Sequence, residues 1–229
     1  MFDDLRYAEN INRPPEIVGK HVQTHLGLHI GQSFESEVLD PALRFVSDFG
    51  PRLREVSKHF EALPKKVGGS VFRIYRDVRF SKDKTPYKTH LGIRFRHRLG
   101  KEVKGPVFYL HLEPSQVFAA AGMYRPHRDS LQAVRHAIDE RPKDWRRAIA
   151  DKRFTAHFDR RGDTLKRIPR GFDQDHALAE DLKRKDHIAI CDLDREEVLA
   201  ADFPDRLAEI YSSASPLMAF LCRAVNAPF

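Results

Sequence analysis

The chain has 229 residues and a formal net charge of +7 at neutral pH, with 41% hydrophobic and 32% charged residues. That length allows one large domain or two small ones with a sizeable core, and the composition is that of a soluble globular protein, not a fibrous or low-complexity one. No stretch approaches the ~18 uninterrupted apolar residues of a membrane span, and the opening residues lack a basic segment followed by an apolar one, so neither a membrane partner nor a secretory leader is expected.

The 40 Lys and Arg against 33 Asp and Glu give a mild bias toward anionic partners. Cys191 and Cys222 belong to no Cys-x-x-Cys motif and sit among apolar neighbours. They read as buried free thiols, which suits a reducing cytoplasm.

Residues 1–35 are a poorly defined N-terminal segment without a clean period. His21, His25 and His29 stand at i, i+4, i+8, but a metal site needs further ligands in a defined geometry, so the stripe reads as coincidence in a histidine-rich segment. From residue 36 onward the chain reads as a single α+β domain. Val38, Leu39, Leu43, Val46, Phe49 and Leu53 follow helical spacing, with Pro41 in the first turn. Phe49-Gly50-Pro51 predicts a break or kink, with helix resuming over 52–63. Residues 64–70, rich in glycine, form a connection and carry no phosphate-cradling loop sequence.

Residues 72–88 read Phe-Arg-Ile-Tyr-Arg-Asp-Val-Arg-Phe-Ser-Lys-Asp-Lys-Thr-Pro-Tyr-Lys. Period-two alternation over 72–80 puts Phe72, Ile74, Arg76, Val78 and Phe80 on one strand face and Arg73, Tyr75, Asp77 and Arg79 on the other. If the apolar face packs on the core, Arg76 must be paired there. A polar loop follows, and residues 91–97 alternate again, with Leu91, Ile93, Phe95 and His97 opposed to Gly92, Arg94 and Arg96. Two strands and a basic connection predict a hairpin with a functional loop.

Residues 107–113 alternate Phe108, Leu110 and Leu112 against Val107, Tyr109, His111 and Glu113, and 117–123 is a further strand. His111 and Glu113 at i, i+2 read as a satisfied surface pair; with no second cluster to complete a zinc set, neither a metal nor a cofactor is expected. Tyr124-Arg125-Pro126 opens a helix ended by Pro142, with Leu131, Val134, Ala137 and Ile138 inward. A short helix over 144–150 carries Trp145 as a packing residue. Residues 154–158 read as a short strand or loop, and 165–172 is a second basic stretch with a bend at Gly171. In Asp175-His176, Asp175 reads as the cap of a helix over 177–184 rather than as partner to a general base. A last strand spans 188–193, Asp194 starts a helix, and 204–226 is a long final helix kinked at Pro216. Strands in the middle and helices at both ends predict an α+β fold: a mostly antiparallel central sheet flanked by N-terminal and C-terminal helices.

The run Arg73-x-x-Arg76-Asp77-x-Arg79-Phe80, followed by Asp83-Lys84-x-x-Tyr87, resembles the signature of a bacterial family of uncharacterised proteins, domain of unknown function 2461. Gly122-Met123-Tyr124-x-Pro126 and Arg167-x-Pro169-Arg170-Gly171-Phe172-x-x-Asp175-His176 are supporting echoes. The resemblance runs from about residue 36 to the C-terminus and implies a fold group, not an activity. Asn10-Ile11-Asn12-Arg13 is similar to an early element of the family, but Pro14-Pro15 stands where that element has an aromatic pair.

The residues themselves support three roles. The first is binding of a small anionic, phosphate- or carboxylate-bearing ligand, with or without chemistry. Arg73, Arg76, Arg79, Lys82, Lys84 and Lys88 would supply charge with Asp77 and Tyr87, joined by His111, Arg125 and Arg170. A carboxylate between guanidiniums stays ionised and is a poor base, so Asp77 orients; Tyr87, Asp83 and Asp77 are the proton-transfer candidates, Tyr87 foremost. The second is a nucleic-acid-binding module using Tyr75, Phe80 and Tyr87 as stacking surfaces. The third is a structural ion-pair lattice that locks the hairpin. No nucleophile elbow, zinc-protease helix or dinucleotide fingerprint is present, so no reaction and no oligomeric state follows.

Overall fold

The computed structural model of the chain describes residues 35–75, 79–80, 88–100 and 105–229. The fold is α+β around a six-stranded, fully antiparallel sheet of order β1-β2-β3-β4-β6-β5. Its strands are β1 (Phe60–Glu61), β2 (Leu91–His97), β3 (Val107–Glu113), β4 (Gln116–Met123), β5 (Asp159–Arg161) and β6 (His187–Leu193). No described helix is long and apolar enough to cross a membrane.

The sheet has two unlike faces, and the alternation in sequence generates both. Ile93 pairs with Leu110, Phe95 with Phe108, and Ala119 with Cys191. Directly opposed residues of an antiparallel pair share a face, so these form one dry surface. Arg94 faces Tyr109, Gly92 faces His111, and His111 faces Phe118 on the other side.

The dry face carries helices from both ends of the chain. A π-helical turn at Glu35–Leu39 leads into α1 (Asp40–Val56), whose Phe45, Val46, Phe49 and Leu53 are buried. Phe49 meets Phe95 at 5.1 Å between ring centroids. The helix runs through Pro51 instead of breaking there, and it ends at Val56 instead of continuing to 63. Burying Leu53 and the rest of the stripe, at roughly 1.5–3 kcal/mol per large side chain, outweighs a proline penalty of ~3 kcal/mol.

After β4 come α2 (Arg128–Glu140), α3 (Pro142–Ile149) and α4 (Lys152–His157). Trp145 on α3 is fully buried and packs on Phe220 at 5.0 Å. The α4 helix replaces the strand or loop expected over 154–158. The Asp151 carboxylate caps it by accepting from the Arg153 and Phe154 amides.

Between β5 and β6 lies α5 (Ala179–Leu182), shorter than the helix expected over 177–184. Asp175 does not cap it. The Leu178 amide donates instead to His176 Nδ1, and His176 Nε2 lies 3.4 Å from Asp139. After β6, Asp194 opens α6 (Arg195–Leu199) in a reciprocal capping box with Glu197.

The expected final helix is two: α7 (Phe203–Ser213) and α8 (Ser215–Ala224), with Pro216 in the first turn of α8. Proline is tolerated in a first turn and not in a helix interior, so the chain restarts at Ala214 and does not kink. Tyr211 of α7 packs on Phe108 at 4.7 Å. The buried apolar cluster runs from Val38 to Ala227, and both cysteines are buried and unpaired.

Candidate functional site

The second face of the sheet is not filled by the core. Over it lies a cavity of about 890 Å³, reached by Arg94 and Arg96 of β2, Tyr109 and His111 of β3, Phe118 of β4 and Arg161 of β5. The same period-two register that sends Phe95 and Phe108 into the core sends these side chains outward. Gly92 is what lets them close in. A Cβ there would stand 2.7 Å from Tyr109 Oη and 2.8 Å from Phe72, so a side chain at 92 would displace both rings.

Phe72 walls one side of the cavity, with the Arg94 guanidinium 5.0 Å from its ring centre and Lys88 Nζ at 5.7 Å. Burial lowers the pKa of Arg94, and Arg96 beside it adds repulsion. Burial and nearby Arg73 likewise lower that of Lys88. Such surroundings favour an anion. Among the described residues, no carboxylate lies within ion-pair distance of Arg94, Arg96 or Arg125. Arg161 differs, since Asp192 already holds its guanidinium.

The far wall is the turn after β4. Arg125 adopts φ +45°, an unusual conformation for a residue with a side chain. It is held there because its amide donates to buried Asp186 at 2.5 Å. Asp186 also accepts from the Asp163 amide, so one carboxylate ties the turn after β4 to the turn after β5. The Arg125 guanidinium lies over the exposed Tyr124 ring, 5.2 Å from its centre.

Along β3, Tyr109 Oη and His111 Nδ1 are 3.0 Å apart, and His111 Nε2 and Glu113 Oε2 are 3.3 Å apart. Thr89 Oγ1 donates to Glu113 Oε1 at 2.7 Å. His90 stacks on His111 with ring centroids 4.7 Å apart. Burial keeps Tyr109 protonated, raising its pKa to about 12, with the Glu113 charge adding to the effect. The Thr89 hydrogen bond, and then His111, lowers that of Glu113. His90, His111 and Glu113 are the donors here that could hold a cation: one ligand atom from each lies within 4.8 Å of the others.

The expected site residues are distributed unevenly. His111 and Arg125 line the cavity, and Lys88 stands against its Phe72 wall. Arg73 and Arg79 are exposed, and Arg170 is exposed beside Gly171 and outside the cavity lining. Arg76, Asp77, Lys82, Asp83, Lys84 and Tyr87 lie outside the described residues.

The strand expected over 72–80 is, in its described part, an edge segment. Val71 bridges to Ile93, the Phe72 amide donates to Gly92, and the Lys88 amide to Ile74. Its alternation holds at first, with Phe72 and Ile74 half-buried and Arg73 and Tyr75 exposed. It does not carry Phe80 to the core, because that ring is 95% exposed.

Sequence reasoning missed His90, Arg94, Arg96, Arg161 and Asp186 as parts of a site. Arg94 and Arg96 carried a usable signal, since a β2–β3 hairpin sets them on the face of Tyr109 and His111. Asp186 and Arg161 carried none.

A family model described as Conserved hypothetical protein (DUF2461) matches residues 29–220. None of the curated proteins and none of the solved structures matches the chain.

Proposed function

The chain belongs to the family of conserved hypothetical proteins (DUF2461), and within it we propose that this protein binds a small multivalent anion, phosphate- or carboxylate-bearing, in the cavity on the second face of the sheet. One observation carries the reading: Arg94, Arg96 and Arg125 reach the same cavity, and none of them has a carboxylate partner among the described residues. Guanidinium forks suit carboxylate and phosphate oxygens. The volume of about 890 Å³ falls within the range of small-molecule sites, roughly 300–1,000 Å³. Phe72 and Phe118 supply apolar wall, and Tyr109, protonated at neutral pH, supplies a hydroxyl donor.

Arg94 is the anchor, because it is half-buried and set between Phe72 and Tyr109. Lys88 at its wall and Arg73 beside Lys88 add positive charge; exposed Arg79, and Arg76, Lys82 and Lys84 outside the described residues, belong to this reading by their charge alone. The buried free thiols of Cys191 and Cys222 support a reducing, cytoplasmic setting.

The test is isothermal titration of pyrophosphate and citrate into wild type, Arg94→Met and Arg125→Met. Wild type should take up one of these anions at a single site. Arg94→Met should weaken that uptake by roughly tenfold or more, the equivalent of a charged hydrogen bond worth about 1.5–3 kcal/mol. Equal affinity in Arg94→Met, or no uptake by a folded wild type, would remove the proposal.

A further inference from the structure

The geometry points to a divalent-cation site at His90, His111 and Glu113, with zinc the ion these donors fit best. His111 Nε2 and Glu113 Oε2 stand 3.3 Å apart. That is long for a charge-assisted hydrogen bond, which runs to about 2.7–2.9 Å. It matches the edge of a tetrahedron around zinc, roughly 3.3–3.4 Å when metal–ligand bonds are 2.0–2.1 Å.

The other atoms of the same side chains are already held as a metal site requires. With Nε2 on the ion, His111 Nδ1 keeps its proton and donates to Tyr109 Oη at 3.0 Å. Glu113 uses Oε1 to accept from Thr89 and leaves Oε2 for the cation. These are the outer contacts that fix tautomer and orientation in metal centres. Phe118, stacked on His111 at 4.6 Å, holds the ring from its other side.

His90 is the third donor. It is half-buried against His111, and none of its ring nitrogens makes a hydrogen bond among the described residues. One of its ring nitrogens lies within 4.8 Å of the other two ligand atoms, and coordination requires the ring to turn out of its stack on His111 so that the in-plane lone pair meets the ion.

Two imidazoles and one carboxylate form a donor set used by catalytic zinc, with a further position left for water or a substrate oxygen. His90 and His111 both line the cavity. A cation here would therefore meet one end of an anion whose other end reaches Arg94. The cation site nevertheless stands apart from the anion reading and is tested without any anion.

Chelator-stripped full-length protein is titrated with Co²⁺, followed by visible absorption, and with Zn²⁺, followed by calorimetry, in a non-coordinating buffer. One equivalent should bind and give the absorption of a four- or five-coordinate ion. Glu113→Gln and His90→Ala should each weaken binding by at least about tenfold while their metal-free melting curves stay cooperative, and Thr89→Val by roughly tenfold through the outer contact. Arg94→Met should not weaken metal binding, because it removes a repelling charge from the shared cavity and no donor; loss of anion uptake with metal binding kept separates this result from the anion test.

A variant lacking His21, His25 and His29 serves as the control for adventitious binding. Loss of the bound equivalent in that variant, with retention in Glu113→Gln, would overturn the assignment. So would the absence of any bound equivalent in wild type.

Discussion

His187 is a single residue whose burial sets a pH dependence for the whole molecule. It is 3% exposed on the core side of β6, its ring lies edge-on to Trp145 at 5.5 Å, and neither ring nitrogen has a hydrogen-bond partner among the described residues. Burial lowers its pKa to about 3; buried Asp181 opposes the shift, and Arg184, Arg135 and Arg160 reinforce it. The sign follows from proton counts. Above the unfolded value, about 6.5, neither state holds the proton and His187 contributes no pH dependence. Between about 6.5 and 3 the unfolded chain binds a proton that the native chain does not, so stability falls as pH falls, by up to about 1.4 kcal/mol per unit. Replacing His187→Leu should flatten acid destabilisation over that window by close to one proton's slope, read from urea midpoints at successive pH values. An unchanged slope would mean that His187 is protonated in the native state as well.

Individual elements differ in what set them. The four long strands were legible because a sheet with one dry face imposes period two on every strand in it, as Phe95 and Phe108 against Arg94 and Tyr109 show. At two and three residues, β1 and β5 are too short for any period to show. The alternation over 72–75 was real, yet a pattern shows which side chains share a face and not whether anything covers that face; exposed Phe80 is the result. The cation donors were half legible: His111 and Glu113 share a strand, but His90 joins them only through the antiparallel register that sets Gly92 across from His111. In α4 the signal was present and went unread, since Asp151 followed by Lys-Arg-Phe is a helix start. That cap is testable at the scale of its helix. Asp151→Ala leaves the Arg153 and Phe154 amides without their acceptor. It should cost about 1 kcal/mol, with Asp151→Ser recovering most of it. A change within ~0.5 kcal/mol, the level of an ordinary surface substitution, would show that solvent satisfies those amides equally well.

For the whole molecule, the proposed small-anion site has to be set against a nucleic-acid surface, since both readings draw on the same positive charge. A net charge of +7 attracts nucleic acid as readily as a metabolite. Exposed Tyr75, Phe80 and Tyr124, with Arg79 and Arg125 lying over the last two rings, resemble a stacking surface for bases. Geometry favours the smaller ligand. Arg94 is half-buried within a concave site walled by Phe72 and Tyr109, whereas a strand of nucleic acid needs charge along an open track. The two differ in their response to salt. Contacts to several phosphates release several counterions, so nucleic-acid affinity drops steeply and linearly in log salt. A compact anion held by desolvated guanidiniums is screened less, because the Debye length of about 8 Å at physiological ionic strength acts on exposed charges above all. Short single-stranded RNA and DNA should therefore show no saturable binding at about 150 mM salt, while the small anion still binds at a single site. Saturable RNA binding with a steep salt slope, unaffected by Arg94→Met and abolished by Phe80→Ala with Tyr75→Ala, would transfer the function from the cavity to the exposed aromatic surface.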